Sequence, residues 1–335
     1  MTDPVQIRSY QPGDEVGILD CYNRIFPTDD GRIGGRTLEH WNWKFLDNPV
    51  GCVQGVVADH EEEGIIGSYA GVPVRIWSEG REQLAAQGVD LMVLPKWRRH
   101  GRRPGLFIHL GWKYHELYCG ATEGKVLFTY GWPIPAWRMG QRYLGYWNIR
   151  DWDFLFTEIE HREPRSAPAG MAVQQVASYG EDVTALWTSL RPSFGLALIR
   201  DASYLNWRYG RRPDRSYRLF ECREDSTGAL RGVCVYAVDE VLQTRAGFIV
   251  DWLVPADDQD ATVALLAAVE RQARDDGVGV VATVLNHVDP RFLGFQRLGF
   301  MVMGTPYFLV LASFKYDTAY YRDEWFFTMG DSDLI

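Results

Sequence analysis

Residues 89–115 read VDLMVLPKWRRHGRRPGLFIHLGWKYH, and the rest of the chain is most easily interpreted from them. An apolar run over 89–94 ends at Pro95, a segment rich in arginine follows, and Pro104 and Gly105 precede apolar and aromatic residues at helical spacing. This order predicts a buried strand, a basic loop and a helix over 106–117. Because the first N–H groups of a helix have no intrahelical partner and carry the positive end of the macrodipole, the loop is a candidate anion receptor. The alternative interpretation is a solvated basic loop after an ordinary strand.

The composition is that of an ordinary globular protein, with 335 residues, 46% hydrophobic residues, 24% charged residues and a net charge of −9. This length predicts two domains. The acidic balance argues against a nucleic-acid partner that would bind across the whole surface. The five cysteines are scattered and include no C-x-x-C pair, so we expect neither a disulfide framework nor a metal site. The first residues, MTDPVQIRSY, contain no basic segment followed by an apolar one, and the sequence contains no apolar run of about 18 residues. We therefore expect a cytoplasmic protein with no membrane partner.

The chain contains an internal repeat. The segment that begins at Arg36, RTLEHWNWKFLDNP, resembles the segment that begins at Arg200, RDASYLNWRYGRRP. After it, each half has the pattern of a strand hairpin (53–58 with 65–74; 217–222 with 230–238), a buried strand (89–94; 248–254), a helix (106–117; 261–274) and a further strand (125–130; 278–285). Each half then reaches a Leu-Gly-aromatic step, which ends at Tyr146 in the first half and at Phe300 in the second. We therefore expect an N-terminal domain over 1–159, a linker rich in Pro, Ala and Gly over 160–171, and a C-terminal domain over 172–335 with an aromatic and acidic tail.

This order of elements, with its arginine–glycine loop, resembles the GNAT superfamily of acyl-CoA-dependent N-acyltransferases. The resemblance is clearest over residues 36–146, and the whole chain looks like a tandem GNAT protein. It implies an α/β (α+β) fold of two tandem units, each a mixed, mostly antiparallel twisted sheet flanked by helices.

The resemblance also implies a donor site in the first half. In GNAT proteins a loop of pattern Gln/Arg-x-x-Gly-x-Gly/Ala binds the coenzyme A pyrophosphate, and the backbone of the preceding strand holds the thioester and the pantetheine arm. The positions that correspond to loop and strand are Arg98, Arg99, His100, Gly101, Arg102, Arg103, Met92, Val93 and Leu94. Arg103 departs from the pattern, because Gly or Ala is expected there. The matching loop of the second half, PADDQD over 255–260, contains three aspartates, so we expect that half not to bind coenzyme A.

Three residues are candidates for proton transfer. Asp90 on the buried strand and Glu39 in the first repeat segment could act as the base, although a polar strand residue and a solvated helix residue are the alternative interpretations. Many GNAT enzymes carry a tyrosine acid four residues before the glycine of the Gly-aromatic step, but Gln141 stands at that position here. Tyr143 lies nearby, out of register.

Aromatic residues could form the acceptor pocket. Tyr130, Trp132 and Trp137 fall where the resemblance places the substrate cleft, and His40 could line it as well, although core packing would also explain all four. Asp331 and Asp333 could hold a cationic amine if the tail folds back over the cleft; an exposed acidic pair is the alternative.

These features predict an N-acyltransferase, most simply an acetyltransferase. The donor would be acetyl-CoA or another acyl-CoA. The acceptor would be the amine of a small molecule such as an aminosugar, an amino acid or a biosynthetic intermediate. One alternative donor is the thioester of an acyl carrier protein, whose acidic surface would suit the basic loop. Another alternative is a non-catalytic ligand-binding or scaffold protein. The oligomeric state is open.

Overall fold

The computed structural model describes residues 4–26, 35–98, 103–132 and 137–333, and the chain forms two compact units. Unit 1 comprises Met1–Ile76, Glu82–Arg150 and Phe308–Ala319, and unit 2 comprises Trp77–Arg81, Asp151–Tyr307 and Tyr320–Ile335. Neither unit is therefore one continuous segment. This division differs from the continuous domains 1–159 and 172–335 that the repeat suggests.

Unit 1 is built on a mixed sheet whose strand order is β1-β2-β3-β4-β5, completed by residues 308–313 of a later strand. Strands β1 to β3 pair antiparallel, whereas β4 and β5 pair parallel. The third helix buries Leu106, Ile108, Leu110 and Tyr114. The elements are β1 (Val5–Ser9), α1 (Asp14–Ile25), α2 (Leu38–Phe45), β2 (Gln54–His60), β3 (Gly64–Ser78), β4 (Arg81–Val93), α3 (Leu106–Tyr118), β5 (Val126–Gly131) and α4 (Trp137–Leu144).

Unit 2 repeats this arrangement. Its sheet has the order β7-β9-β10-β11-β12, with antiparallel pairing from β7 to β11 and a parallel pair of β11 with β12. The elements are β6 (Tyr146–Glu158), β7 (Met171–Val176), α5 (Glu181–Leu190), β8 (Leu196–Leu198), α6 (Ala202–Leu205), β9 (Arg218–Glu224), β10 (Leu230–Val241), β11 (Thr244–Leu253), α7 (Gln259–Asp275), β12 (Val280–Thr283), α8 (Pro290–Arg297), β13 (Met301–Ser313), α9 (Thr318–Glu324) and β14 (Trp325–Phe326). The predicted fold class, a mixed and mostly antiparallel sheet in each of two units, is confirmed.

The two units exchange their last strands. β6 follows β5 in sequence, but its residues 151–158 belong to unit 2, where they pair antiparallel with β12. β13 follows β12 in sequence, but its residues 308–313 belong to unit 1, where they pair antiparallel with β5. Each sequence repeat therefore lacks the strand that completes its own sheet, which is why the compact units do not coincide with the repeats.

The sequence repeat corresponds to a repeated ion pair. Arg36, at the start of the first copy, pairs with Asp90 on β4, and Arg200, at the start of the second copy, donates from Nε to Oδ1 of Asp251 on β11 at 2.8 Å. Both aspartates are buried. Each pair ties the segment before a helix to a strand inside the sheet.

The segment predicted as a linker, residues 160–171, is largely exposed and is held to unit 2 by a few side-chain contacts. Arg165 donates to the Glu270 carboxylate at 3.2 Å and to the Leu298 carbonyl at 2.9 Å. Arg274 donates to the carbonyls of Ile159 and Arg162 at 3.1 and 3.2 Å. These contacts hold the exposed segment to α7 and to the Leu298 backbone.

Candidate functional site

Strands β4 and β5 of unit 1 stop pairing part-way along β4. Within the described residues, the last pair of their parallel register joins Gln87 to Tyr130, although β4 continues to Val93. Asp90 has a φ of 51°, which is uncommon for a residue other than glycine and interrupts the regular strand geometry. Unpaired strand backbone beside a neighbouring strand leaves donors and acceptors that a bound chain can use.

An aromatic cavity lies where this pairing ends. It leaves about 50 Å³ that the centre of a water-sized molecule can occupy, within an opening of about 480 Å³ that includes open solvent. Gly88 of β4 and Gly131 of β5 line it, and the rest of its wall is mainly aromatic and aliphatic. The larger lining side chains are Tyr69, Phe107, Tyr130, Trp132, Trp137 and Tyr146.

Two tyrosine hydroxyls of this cavity are joined in a buried hydrogen-bond chain. Thr129 Oγ1 donates to the hydroxyl of Tyr146 at 2.8 Å, and the hydroxyls of Tyr146 and Tyr69 are hydrogen-bonded at 3.0 Å. Burial raises the pKa of both tyrosines above the ordinary value of 10. Both side chains are therefore neutral hydroxyls at physiological pH.

The basic loop joins the end of β4 to the start of α3. Arg98 donates from Nε to the Val93 carbonyl at 3.1 Å, and Gly105 approaches the Arg98 backbone so closely that a Cβ there would lie 2.2 Å from its carbonyl oxygen. Among the described residues, no side chain caps α3 at Gly105, and Arg103 is exposed beside this helix start. Four of the loop residues expected to bind pyrophosphate, Arg99, His100, Gly101 and Arg102, lie outside the described residues. The described part of the loop brings Arg98 to an uncapped helix N-terminus.

Comparison with known proteins identifies the fold. Neither a protein-family model nor a curated protein sequence matches the chain. Solved structures do, among them a probable N-acyltransferase from Enterococcus faecalis with a TM-score of 0.67, 14% identity and coverage of 94% of this chain and 74% of that one. A tandem GNAT protein from the clavulanic acid biosynthesis pathway matches with a TM-score of 0.54, 13% identity and coverage of 93% of this chain and 99% of that one. Saccharomyces cerevisiae N-myristoyltransferase with bound myristoyl-CoA matches with a TM-score of 0.54, 12% identity and coverage of 93% and 82%.

The chain has the tandem GNAT fold. The resemblance drawn from the arginine–glycine loop and the repeat is thus confirmed at the level of the fold.

Asp90, one of the two candidate bases, lies in a buried ion cluster of unit 1. It pairs with Arg36, and Lys44 Nζ lies 3.6 Å from its Oδ1. Burial alone would raise the pKa of Asp90, but the positive charges of Arg36 and Lys44 outweigh burial and lower that pKa below its ordinary value. A carboxylate held ionised in this way is a weak base, so the geometry favours a structural role.

The other two candidates for proton transfer lie on helix surfaces. Glu39 is exposed in the first turn of α2. Tyr143 is half-buried on α4, where the Arg142 guanidinium lies 5.2 Å from its ring and its carbonyl accepts a hydrogen bond from Trp112. Tyr143 does not line the aromatic cavity. Their catalytic roles remain predictions.

The residues predicted to line the acceptor pocket are divided by the structure. Tyr130, Trp132 and Trp137 line the same cavity, so the structure brings these three together. His40 lies on α2 instead, where its ring stacks on Trp43 with 5.4 Å between centroids.

The strand residues predicted to hold the donor are buried at the end of β4. Met92, Val93 and Leu94 are each 3% exposed. The Leu94 N–H donates to the Ile66 carbonyl at 2.9 Å, and the Val93 carbonyl accepts from Arg98. Part of their backbone is thus already engaged within unit 1.

The C-terminal tail forms neither of the two arrangements considered for it. Asp331 is buried in unit 2, where it accepts a hydrogen bond from Arg200 Nη2 at 2.5 Å. Its carboxyl group is therefore already engaged by the Arg200 guanidinium of the same chain, and the hypothesis that it holds an amine substrate is not supported. Asp333 is exposed.

The helix of unit 2 that corresponds to α3 carries its own cap. Asp258 caps α7 by accepting from the Ala261 N–H at 3.0 Å. The same carboxylate lies 2.8 Å from Arg231. A carboxylate of the chain thus occupies the place at this helix start where an anion would bind.

Groups of three or more His, Cys, Asp or Glu side chains that could hold a metal ion are absent from the part of the chain that the structure describes. Among the helices in that part, none has the length and apolar character needed to cross a membrane.

No local sequence pattern predicts the hydroxyl chain of Thr129, Tyr146 and Tyr69. In the sequence, Tyr146 stands out only as the last residue of the Leu-Gly-aromatic step. Tyr69 is only one residue of a predicted apolar strand. The one available signal is the difference between the repeats, since Tyr146 in the first corresponds to Phe300 in the second.

Proposed function

We propose that the protein is an N-acyltransferase whose first unit binds an acyl-CoA and transfers the acyl group to the amine of a small molecule. The observation that carries the proposal is the aromatic cavity where β4 and β5 stop pairing, beside an uncapped helix start with arginines next to it. The pyrophosphate of an acyl-CoA needs an anion-binding site, and its long arm and thioester need a cavity lined by protein side chains.

The donor would extend from the start of α3 to the end of β4. The pyrophosphate would accept hydrogen bonds from the first N–H groups of α3 and from the terminal nitrogens of Arg98, with Arg103 adding positive charge. The pantetheine arm would lie in the aromatic cavity, against Gly88 and Gly131, where small residues permit close backbone approach. On this arrangement Tyr130, Trp132 and Trp137 contact the donor arm rather than the acceptor.

The second unit would have a supporting role. Asp258 caps α7 and would repel a pyrophosphate there, since like charges at a helix start are unfavourable. The second half of the sequence would instead supply residues 308–313 of β13, which pair with β5 and complete the sheet of unit 1. Acetyl-CoA is the simplest donor, and an aminosugar, an amino acid or a biosynthetic intermediate would serve as acceptor.

The direct test is calorimetric titration of the full chain with coenzyme A and acetyl-CoA. Arg98→Ala should weaken binding by about tenfold, the effect of losing one charge-assisted hydrogen bond to phosphate. Arg81→Ala, an exposed arginine paired only loosely with Glu79 at 3.6 Å, is the matched control and should bind like the wild type.

Two outcomes would change the proposal. Absence of coenzyme A binding to the wild type would remove the acyl-CoA donor. If a carrier-protein thioester were then consumed with steep salt dependence, the donor would be the acyl carrier protein, whose acidic surface would meet the basic loop.

A further inference from the structure

Positive charge is concentrated in one stretch of unit 1. Residues 95–150, which follow β4, contain ten lysines and arginines but only two glutamates, whereas the whole chain has 35 Lys and Arg against 44 Asp and Glu. The remainder of the chain is therefore strongly acidic. A basic region on an otherwise acidic protein directs an anionic partner to one place, because the electrostatic potential there is opposite in sign to that of the rest of the surface.

Helix α4 carries part of this charge on a face turned away from the aromatic cavity. Trp137, Gly140 and Leu144, which are three and four residues apart, line the cavity. Arg138 and Arg142, which are four residues apart, are exposed. Residues at this spacing are neighbours on a helix surface, so the two arginines form one positive patch on a helix that walls the cavity.

Two large apolar side chains are exposed beside these arginines. Met139 of α4 and Trp112 of α3 are each 41% exposed. Trp112 Nε1 donates to the Tyr143 carbonyl at 2.8 Å, which places Trp112 against the last turn of α4. We call Trp112, Arg138, Met139 and Arg142 the outer face of α3 and α4. Its composition is that of a protein interface, since Trp, Met and Arg are enriched where proteins meet.

The repeat shows that the fold does not need these arginines. Counted back from the shared Leu-Gly step, Arg138 and Arg142 correspond to Phe292 and Gln296 on α8 of unit 2. Phe292 is buried, whereas Arg138 is exposed. The positive charge of the outer face is thus specific to the unit that we propose to bind the donor.

We propose that the outer face docks an acyl carrier protein, an acidic protein that presents its acyl group on a phosphopantetheine arm. Carboxylates of the carrier would pair with Arg138 and Arg142, and the arm would enter the aromatic cavity that α3 and α4 help to wall. The assignment rests on the proposed function, since coenzyme A and a carrier protein present the same pantetheine group. An anionic membrane would also suit exposed arginines beside Trp112 and Met139, but it offers no arm for the adjoining cavity.

Docking leaves the chemistry of the proposed transfer unchanged. The amine nitrogen forms a bond with the acyl carbon, the C–S bond breaks, and the arm leaves as a thiol that gains the proton the amine loses. One thioester and one amine thus give one amide and one thiol. The carrier with its free thiol must then dissociate, which a docking contact made through exposed, solvent-screened charges permits.

The test is titration of the full chain with a fluorescently labelled acyl carrier protein from a bacterial fatty-acid synthase, prepared with its arm and, as a second probe, without it. In about 150 mM salt the carrier with its arm should bind the wild type at least about threefold more tightly than the carrier without it. Raising the salt to about 0.5 M should weaken this binding at least about tenfold, because exposed ion pairs are screened.

The decisive variant is Arg138→Glu/Arg142→Glu, which replaces attraction to the acidic carrier by repulsion. It should weaken carrier binding at least about tenfold, whereas coenzyme A affinity in calorimetry should change less than about threefold. Arg271→Glu/Arg297→Glu is the matched control, because it changes the net charge equally at two exposed arginines of unit 2. This control should bind the carrier like the wild type.

The outcomes separate the docking role from the proposed function. A wild type that binds coenzyme A but not the carrier with its arm overturns the docking role and leaves the donor site standing. Equal affinity for the carrier with and without its arm overturns it as well. A wild type that binds neither coenzyme A nor the carrier overturns the proposed function itself. These comparisons require no substitution, so the docking role remains testable if a variant does not fold.

The variants exclude the other uses of a basic surface. Equal losses of carrier binding in the two reversed variants would show that net charge acts rather than the outer face. Equal losses of carrier and coenzyme A binding in Arg138→Glu/Arg142→Glu would assign the arginines to the nucleotide of coenzyme A. Wild-type binding to vesicles of equal parts phosphatidylcholine and phosphatidylglycerol, lost in the same variant, would assign the face to a membrane. Each of these results overturns the docking role.

Discussion

Replacing Asp90 with asparagine should destabilise unit 1 rather than remove a catalytic base. Asp90 is buried, pairs with Arg36 and has Lys44 Nζ at 3.6 Å. Asp90→Asn keeps the shape of the side chain but removes the charge that compensates these cations. Breaking a buried pair in this way costs about 3–5 kcal/mol, because the remaining charge stays desolvated.

This loss would be easily measured. For a folding unit of the size of unit 1, each kcal/mol corresponds to roughly 2–4 °C in the thermal midpoint, so Asp90→Asn should lower the midpoint by roughly 6–20 °C. The double variant Arg36→Gln/Asp90→Asn should recover part of the loss, with a coupling of about 1–3 kcal/mol, because both members of the pair are then neutral. Circular dichroism and tryptophan fluorescence would follow unfolding, and calorimetry at low temperature would show that the folded variant still binds coenzyme A.

Two results would refute this interpretation. A thermal midpoint for Asp90→Asn equal to that of the wild type would show that the ion cluster does not stabilise the fold. A folded Asp90→Asn protein that binds coenzyme A but transfers no acyl group, at a pH where the wild type does, would return Asp90 to the role of base.

Two further predictions concern the C-terminal tail and the loop. Burial and the neighbouring Asp251 carboxylate raise the pKa of Asp331 from 3.8 to about 7 despite its bond to Arg200, so the folded state keeps a proton that the unfolded state releases. Stability should therefore fall as pH rises from about 4 to about 7, and urea unfolding of Asp331→Asn should show a weaker slope in that window; an unchanged slope would contradict the assignment. Gly105→Ala would place a Cβ 2.2 Å from the Arg98 carbonyl oxygen and should weaken coenzyme A binding by about tenfold or more in calorimetry. The control is Gly294→Ala in α8, where a Cβ meets no atom within 4 Å, and it should bind coenzyme A like the wild type. Equal affinity in the Gly105→Ala and Gly294→Ala variants would show that the close approach at Gly105 is unnecessary.

The sequence predicted the elements of the fold well where one face or both are buried. The buried strand expected over 89–94 is the end of β4, and the helix expected over 106–117 is α3. The sequence does not predict the first half of β4, because the exposed Arg81 and Glu82 and the half-buried Gln83 carry no apolar signal. The exchange of strands was also beyond reach, since periodicity identifies a strand without naming its partner.

The candidate site was predictable only in part, because a sequence pattern does not show which side chains meet in the folded chain. Charge and glycine spacing predicted the loop, and the family resemblance placed Tyr130, Trp132 and Trp137 at one cleft, where they line one cavity. The hydrogen bonds of Tyr69 and Tyr146 depend on side chains that meet across three strands, which no local pattern encodes.

Comparison of the two units separates what the fold needs from what the proposed chemistry needs. Both units retain an arginine paired with a buried strand aspartate, so this pair cannot be what distinguishes a donor-binding unit from a supporting one. The helix starts differ, since α3 begins at Gly105 beside arginines whereas α7 is capped by Asp258. The residue after the Leu-Gly step differs as well, because only the tyrosine of unit 1 adds a hydroxyl to the ring that Phe300 supplies in unit 2. Substitutions at the features that differ should therefore change binding and chemistry, whereas substitutions at the shared pair should change stability.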